Sequence, residues 1–312
     1  MTDLLSDILL RLSLKGTLYF QTSFSAPWGV RVPSYSNVAR FHYAYRGDCV
    51  VRVAESDTPV VLRQGDLIII PHGATHDLYC DLSSQPDVLP LDQVLTESKY
   101  TGEGVLVHGG PDTDNQTQLI CGHFSFGENT RHIIYENLPE SIIIKDYGAE
   151  AGPWMEANLR MIGREVVSNR IGSDIIAIKM SEVIFTQALR TFIEREGEKY
   201  RGFAAFADAH LARAITAFHH QPAEEWTVKD LAREAGLSRT KFAQSFSEKM
   251  GVTPIKYLTS WRMQLACQAL MEDGINVIEA ADRVGYASES AFIKVFKREI
   301  GMTPAIFRNN IC

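Results

Sequence analysis

Residues 242–254 read Phe-Ala-Gln-Ser-Phe-Ser-Glu-Lys-Met-Gly-Val-Thr-Pro, and residues 292–304 read Phe-Ile-Lys-Val-Phe-Lys-Arg-Glu-Ile-Gly-Met-Thr-Pro. In both copies two phenylalanines, four positions apart, precede Gly-x-Thr-Pro. Upstream, a Val-x3-Ala-x3-Gly pattern also recurs, from Val228 and from Val277, at an offset of 49 residues instead of 50. The second copy therefore carries one extra residue in its turn. A repeat of this kind indicates duplicated supersecondary units, and two copies predict a pair of similar helical modules.

Each copy of the repeat reads as two helices joined by a tight turn. In the first copy Thr227 caps one helix, Gly236 breaks it and Ser238 caps the next helix. In the second copy Gly285 supplies the turn and Ser288 the cap. The paired phenylalanines lie one helical turn apart, which predicts that they anchor the second helix of each copy to a core. This order of elements is the helix-turn-helix arrangement.

A long helix is predicted between the two units. Thr253 and Pro254 supply the N-cap and the first position of a helix over 255–272. Another helix is predicted over 204–218, before the first unit. Two helix-turn-helix patterns in register, joined by a capped helix, are a much more specific signal than one such pattern alone.

The region before the repeat has a different pattern. Residues 38–144 alternate short β-rich runs with glycine and proline turns, which predicts a sandwich or a barrel. Residues 83–104 lack this pattern and are expected to form a loop. A helix is predicted over 173–195, and its wide apolar face would pack on its own domain or against the same helix of a second subunit. An apolar-periodic stretch in 4–12 predicts a short helix packed on this domain.

One stretch of the β-rich region carries a sharper motif. Residues 65–76 read Gly-Asp-Leu-Ile-Ile-Ile-Pro-His-Gly-Ala-Thr-His and resemble the second cupin motif, G-x5-P-x-G-x2-H, at every fixed position. The apolar run predicts a buried strand, and His76 would point into the barrel. In the partner motif, however, Arg40 stands where a glutamate is expected, and Ser34 and Ser36 stand where histidines are expected. Three of the four usual metal ligands are therefore absent.

Other polar residues on adjacent strands suggest a small-molecule pocket in the barrel. Cys121 and His123 share a strand face, as do Arg40 and His42. The candidate effector-binding residues are Arg40, His42, His72, His76, Cys121 and His123. Two alternatives stay open. These side chains could be hydrogen-bonded core residues, or a metal such as zinc could bind His42, His76, Cys121 and His123.

Charge is unevenly distributed along the chain. The formal net charge is −7, with 18 Lys+Arg against 26 Asp+Glu over 1–201 and 13 against 12 over 202–312. The repeat region is thus near neutral and can bind DNA through a basic face, with modest non-specific affinity. Five cysteines without paired spacing, no signal peptide and no membrane-length apolar run predict a cytoplasmic protein with no membrane partner.

The repeat region closely resembles the DNA-binding domain of AraC/XylS-type transcription regulators. The resemblance covers about 204–308 and is carried by residues 226–242, 257–263 and 284–292. The β-rich region resembles the cupin-type effector and dimerisation domain of many such regulators, mainly over 41–76 and 119–126. The family resemblance implies two recognition helices that enter successive major grooves on one face of DNA.

The exposed positions of the two recognition helices are the candidate DNA contacts. The anchoring phenylalanines face the core, so the remaining N-terminal positions face the groove. The predicted base contacts are Arg239, Thr240, Gln244, Glu289, Ser290 and Lys294. Lys241, Lys297 and Arg298 are better placed for phosphates, and Ile293 is expected to reach a thymine methyl.

The sequence therefore predicts a two-domain regulator. A cupin-like β-barrel with trailing helices is expected over 1–195, a charged linker over 196–203, and an all-α DNA-binding domain with two helix-turn-helix motifs over 204–312. The predicted partners are double-stranded promoter DNA, a small-molecule effector in the barrel and a second copy of the chain. The family resemblance favours an activator, which implies RNA polymerase as a further partner. No catalytic residue is assigned.

Two alternatives belong to other functional classes. One is a metal-dependent cupin enzyme with a DNA-binding tail, although the sequence shows no Ser-His-Asp set, phosphate loop or paired carboxylates. The other is a regulator whose barrel is empty and purely structural. Bound metal with turnover would favour the first, and unchanged promoter affinity without any binder would favour the second.

Overall fold

The computed structural model describes residues 4–11, 15–54, 58–82, 87–102, 104–125, 135, 137–145, 157–158, 161–162, 164–165, 170–271 and 275–309. Contacts between Cα atoms divide the chain into two units. A β-rich unit takes in the described residues of Leu14–Phe126 and Leu138–Phe192, and a helical unit takes in those of Met1–Ser13, Gly127–Asn137 and Ile193–Cys312. The expected strand-rich and helical parts are both confirmed.

The strands all lie in the β-rich unit. They are β1 (Lys15–Ala26), β2 (Gly29–Val32), β3 (Val38–Arg46), β4 (Cys49–Val53), β5 (Val60–Leu62), β6 (Leu67–Ile70), β7 (His76–Tyr79), β8 (Leu89–Pro90), β9 (Val105–Gly109), β10 (Asp112–Ser125) and β11 (Ile142–Ile144). One sheet has the order β11-β6-β3-β10-β1-β9, and the other has the order β5-β4-β7-β2-β8. Their facing sides enclose an apolar core.

The helices are distributed over both units. They are α1 (Leu4–Arg11), α2 (Leu91–Glu97), α3 (Ser173–Glu196), α4 (Phe203–Ala207), α5 (Ala209–His220), α6 (Val228–Ala235), α7 (Arg239–Met250), α8 (Pro254–Met271), α9 (Val277–Arg283), α10 (Glu289–Ile300) and α11 (Pro304–Asn309). In the described part of the chain, no helix is both long and apolar enough to cross a membrane.

The predicted cupin strand is present. All four residues of β6 are buried, and its antiparallel pairing with β3 places Ile70 opposite Arg40 and Ile68 opposite His42. The turn that follows requires a glycine, because Gly73 has a φ of +60° and a Cβ there would lie 2.2 Å from the carbonyl oxygen of Tyr35. Backbone geometry at this turn therefore fixes the path into β7.

Two sequence expectations were wrong in detail. The described part of 83–104 is not a simple loop, because it contains β8 and α2, and Leu91 and Leu95 of α2 pack on the barrel core. The helix expected over 204–218 is divided. Asp208 is extended and caps α5 by accepting from the backbone N–H groups of residues 210 and 211. Short amphipathic segments beside a core carry too weak a periodicity to be read reliably.

The first helix-turn-helix unit has the predicted caps. Thr227 and Asp230 form a reciprocal capping box at the start of α6. Gly236 ends the helix in the left-handed conformation with a φ of +66°, and the N–H of Leu237 donates to the carbonyl of Ala232 at 2.9 Å. Ser238 then accepts from the backbone N–H of residue 241 to start α7. Local sequence is therefore sufficient to form this turn.

The second unit repeats this geometry. Asn276 and Glu279 form a capping box that the sequence analysis missed. The N–H of Tyr286 donates to the carbonyl of Ala281 at 3.0 Å, as its counterpart does in the first unit. Ser288 caps α10.

Paired aromatic side chains bury one face of each second helix. In α7 the rings of Phe242 and Phe246 lie 5.6 Å apart, and both side chains are fully buried. In α10 the rings of Phe292 and Phe296 lie 5.5 Å apart and are equally buried. Since each fully buried aromatic contributes on the order of 2–3 kcal/mol, this burial fixes how each helix is rotated.

The helix α8 is fixed to both units. Arg262 donates from Nε to the carbonyl of Pro222 at 2.6 Å and from a terminal nitrogen to that of Glu224 at 2.7 Å. Near its start, Lys256 donates to Glu299 of α10 at 2.5 Å. The loop before the first unit and the end of the second are therefore held to one helix.

The turn of the second unit directly contacts this loop. Gly285 has a φ of +78°, and a Cβ there would lie 2.2 Å from the carbonyl oxygen of Ala223. Gly301 also has a left-handed φ, +92°, but no atom lies within 4 Å of the Cβ position. The two glycines therefore separate backbone strain from steric overlap.

We expect Gly285→Ala to destabilise the helical unit more than Gly301→Ala. Both substitutions carry a left-handed strain of about 1 kcal/mol, and only the first adds overlap with a backbone oxygen, for a total of about 2–4 kcal/mol. Urea unfolding followed by tryptophan fluorescence would measure both. Equal losses of unfolding free energy would show that the loop moves aside at no cost.

Candidate functional site

The exposed face of α7 contains the predicted contacts of the first unit. Arg239, Thr240, Lys241 and Gln244 are all exposed, while both phenylalanines point inward. Positions 240, 244 and 248 follow one another at helical spacing, so they form one stripe. The side chain of Gln244 donates from Nε2 to Oε1 of Glu248 at 2.9 Å.

Glu248 is a residue of this face that the sequence analysis missed. The hydrogen bond to Glu248 orients the amide of Gln244 and leaves its Oε1 and one N–H directed outward. An adenine edge requires one acceptor and one donor of this kind. The spacing of four between the two residues was the available signal.

The corresponding face of α10 carries different side chains. Glu289, Ser290, Lys294, Lys297 and Arg298 are exposed. At position 298, which corresponds to position 248 of the first unit, an arginine replaces the glutamate. The two stripes therefore present unlike charge at the same place in the same frame.

Local contacts orient part of this second face. The hydroxyl groups of Ser288 and Ser290 lie 2.9 Å apart, and Nε of Arg298 donates to Glu299 at 2.8 Å. Burial would raise the pKa of Glu299, but hydrogen bonds from Lys256 and Arg298 hold it below its usual value. Ile293 is half-buried and packs on the core of the second unit, so it is less available than the other predicted contacts.

The barrel unit contains a small cavity. Its volume is about 20 Å³, which is room for about one or two water molecules. It is lined by Thr22, Phe24, Val30, Val32, Arg40, His42, Leu78, Leu91, Cys121 and Gly122.

Three of the six predicted effector residues line this cavity, namely Arg40, His42 and Cys121. His76 lies directly behind His42. His123 is half-buried and pairs with Arg40 across β10 and β3. His72 is exposed, and its Nε2 lies 3.0 Å from the carbonyl oxygen of Leu138. The strand alternation that the sequence shows could not reveal which side chains meet across two sheets.

A chain of hydrogen bonds crosses the core beside the cavity. Nδ1 of His42 lies 3.1 Å from Sγ of Cys121, and Nε2 of His42 lies 2.8 Å from Nε2 of His76. Nδ1 of His76 lies 2.8 Å from the carbonyl oxygen of Ala74. We call these four groups the histidine relay. Because β3 and β7 belong to different sheets, the relay links the two sheets.

The proton positions in the relay follow from its geometry. The carbonyl of Ala74 can only accept, so His76 carries its hydrogen on Nδ1, and its Nε2 is an acceptor in the neutral ring. His42 must then donate from Nε2, which leaves Nδ1 to accept. The thiol of Cys121 can satisfy that acceptor by donating its S–H. Every group in the relay is thus paired while remaining neutral.

Electrostatics support this neutral arrangement. Burial lowers the pKa of His42 well below its usual value, and the charges of His76 and Arg40 lower it further. Burial also lowers the pKa of His76 to about 4. Burial raises the pKa of the Cys121 thiol to about 12. At neutral pH the two rings and the thiol are therefore uncharged.

The metal alternative fits this arrangement poorly. Among the described residues, no group of three or more His, Cys, Asp or Glu side chains is arranged to hold a metal ion. All four ring nitrogens of His42 and His76 are engaged in the relay. A metal would have to break the relay, and it would lie near the positive charge of Arg40.

Comparisons with known proteins agree with both units. Residues 3–194 match the family model described as cupin, and residues 231–310 match the model described as a helix-turn-helix domain. An AraC-like transcription regulator from Streptomyces lividans is 32% identical over 311 residues, which is 99% of this chain and 98% of that protein. RclR, an RCS-specific HTH-type transcriptional activator from Escherichia coli strain K12, is 26% identical and covers 99% of this chain and 98% of its own.

Among solved structures, fatty-acid-bound ToxT from Vibrio cholerae strain SCE256 aligns with 94% of this chain and 95% of its own. Its sequence identity is 12% and its TM-score is 0.37.

We expect the barrel to lose stability as the pH falls below about 6.5. The unfolded histidines bind protons near pH 6.5, whereas the folded rings resist protonation until about pH 4 for His76. The unfolded state therefore binds more protons in this interval, and unfolding free energy decreases by up to about 1.4 kcal/mol per pH unit for each histidine. Urea unfolding at pH 7.5, 6.5 and 5.5 would measure the slope.

Matched substitutions separate the relay from other histidines. His76→Gln removes one titrating ring and should flatten the slope. His220→Gln, at an exposed position in the helical unit, should leave the slope as in the parent protein. An unchanged slope in His76→Gln would contradict the role assigned to the relay.

Proposed function

This chain belongs to the AraC-like transcription regulators and carries a cupin domain, and on that premise we propose that α7 and α10 read the two unlike halves of one promoter site. The chain is thus a DNA-binding transcription regulator. The observation that supports an asymmetric site is that two recognition helices share one buried frame but present different exposed side chains. A single DNA module used twice would instead present the same residues.

The contacts are assigned by side-chain chemistry. Gln244 is held by Glu248 and suits adenine, whereas Lys294 suits guanine. The remaining proposed base contacts are Arg239, Thr240, Glu289 and Ser290. Lys241, Lys297 and Arg298 would contact phosphates, which position the protein without specifying sequence. Ile293 is the weakest member of the proposed set because it packs on the core.

The helix α8 supports this reading. Its 18 residues span about 27 Å, which is close to the groove-to-groove distance of about 34 Å once the diameters of the attached units are added. Arg262 and the Lys256–Glu299 pair hold both units to this helix. We therefore propose that the spacing between the two halves of the site is fixed by the protein.

The cupin part is proposed to be an effector and dimerisation domain. We assign it residues 1–195, a linker 196–203, and the DNA-binding domain residues 204–312. Three apolar residues of α3, namely Ile175, Ile176 and Val183, are exposed and could pair with the same helix of a second copy. Such pairing would let an effector change the geometry of DNA binding by shifting a population.

The mode of regulation is also a proposal. RclR is named an activator, which favours activation here and RNA polymerase as a partner in the cytoplasm. We propose no enzymatic activity, because the relatives are transcription regulators and the histidine relay holds its groups neutral.

Loss of a base contact should weaken the specific site and leave random DNA unaffected. The site would first be selected from random DNA by the purified full-length protein. We expect Gln244→Ala and Lys294→Ala each to lose about 1–3 kcal/mol of binding free energy on this site and to relax preference locally. Gel-shift titration would measure affinity for selected and scrambled DNA. Arg63→Ala, an exposed position of the barrel, is the matched control. An equal loss on scrambled DNA would make these residues phosphate contacts.

Loss of the link between α8 and α10 should affect spacing. Glu299→Gln removes the charge that holds both Lys256 and Arg298, so the second unit should move more freely against α8. We expect the parent protein to lose affinity when one or two base pairs are inserted between the halves, and the variant to lose less. Equal sensitivity to insertion would mean that Arg262 alone fixes the spacing.

A further inference from the structure

The cavity of the barrel has two kinds of wall. Most of its lining is apolar, from Phe24, Val30, Val32, Leu78 and Leu91. The polar remainder is Thr22, Arg40, His42 and Cys121. None of the described residues that line the cavity is acidic.

The histidine relay restricts what His42 and Cys121 can offer a ligand. Both ring nitrogens of His42 are engaged, and the S–H of Cys121 is directed to Nδ1 of His42. These groups stay neutral because burial opposes their charged forms. A ligand therefore meets the apolar surface of the relay and finds no strong acceptor there.

The other two polar groups are donors. Thr22 is buried, and its Oγ1 accepts from the backbone N–H of Leu119 at 2.9 Å, which keeps its hydroxyl hydrogen as a donor. Arg40 is 4% exposed, and its guanidinium lies 4.4 Å from the ring centroid of Tyr35. A guanidinium has five N–H donors and no acceptor, and it remains charged.

The positive charge of Arg40 acts on the cavity. It lowers the pKa of His42 and that of the Cys121 thiol, both of which line the same space. A cation would be repelled from this wall. A polyol, whose hydroxyl groups must donate as well as accept, would leave donors unpaired. A planar carboxylate matches the guanidinium fork and needs no donor of its own.

We propose that the cavity binds a short-chain aliphatic monocarboxylate, with its carboxylate at Arg40 and Thr22 and its carbon chain against the apolar wall. The volume of about 20 Å³ limits the ligand to about two to four carbons before Leu91 of α2 must move. This inference deepens the proposed function, since it names the chemical class of the effector for the same cavity.

Calorimetry on the full-length protein tests the ligand class. Acetate, propionate and butyrate would be compared with propionamide, propylammonium and nitrate. We expect one carboxylate per chain to bind, with propionamide and propylammonium at least about tenfold weaker, because they lack the charge-assisted pairing. Nitrate should also bind more weakly because it has no carbon chain. Equal binding of propionamide or nitrate, or no binding of any of the three carboxylates, would overturn the proposal.

Variants test the position of the ligand. Arg40→Gln should weaken propionate at least about tenfold, and Arg40→Lys, which keeps the charge without the fork, should have an intermediate effect. Leu91→Trp should fill the cavity from α2 without altering Arg40, so it remains informative if Arg40→Gln does not fold. Arg63→Gln, on the exposed surface, is the control. Propionate binding that survives both Arg40→Gln and Leu91→Trp would overturn the assignment.

Promoter affinity, measured in parallel, separates this inference from the proposed function. Propionate binding that leaves DNA affinity unchanged would support the carboxylate site and contradict its role as an effector site. A response of DNA affinity to some other molecule, without carboxylate binding, would support effector control and overturn the ligand class.

Discussion

Burial of two phenylalanines on each recognition helix is the constraint on which the DNA-binding surface depends. Because the rings at positions i and i+4 must both face a core, the helix has one allowed rotation about its axis. The outward positions then follow, and so does the stripe formed by Thr240, Gln244 and Glu248. The same frame on α10 presents Ser290, Lys294 and Arg298 instead. A repeated core thus permits unlike surfaces, since the core residues tolerate little change and the exposed residues carry no packing cost.

The connecting helix turns two small units into one domain. Arg262 reaches two backbone carbonyls of the loop before the first unit, and Lys256 pairs with Glu299 at the end of the second. The close approach of the loop at Ala223 to the turn at Gly285 adds a steric contact to these polar ones. Neither unit buries enough apolar surface by itself to be fixed in orientation, so the shared helix and its hydrogen bonds are needed for a defined geometry.

The barrel core combines neutral polar groups with one charge. The histidine relay is stable because each group has a partner of the correct type, which removes most of the cost of burial. Arg40 differs, because a guanidinium cannot become neutral, so burial leaves a positive field in the cavity. These two solutions to polar burial explain why three predicted effector residues line the cavity while only one of them brings charge to it. His72, chosen from its place in the cupin motif, is exposed instead.

The sequence by itself determined the order of elements, the caps and breaks of both helix-turn-helix units, the buried strand β6 and the family, because these depend on local spacing. It did not reveal α2, the division at Asp208 or the partners Glu248 and Asn276, where the local pattern is short or ambiguous. Only the tertiary structure decided that His42 meets His76 and Cys121, and that Gly285 meets Ala223. Such contacts join residues tens of positions apart, and their geometry depends on how sheets and helices pack rather than on any pattern within one segment.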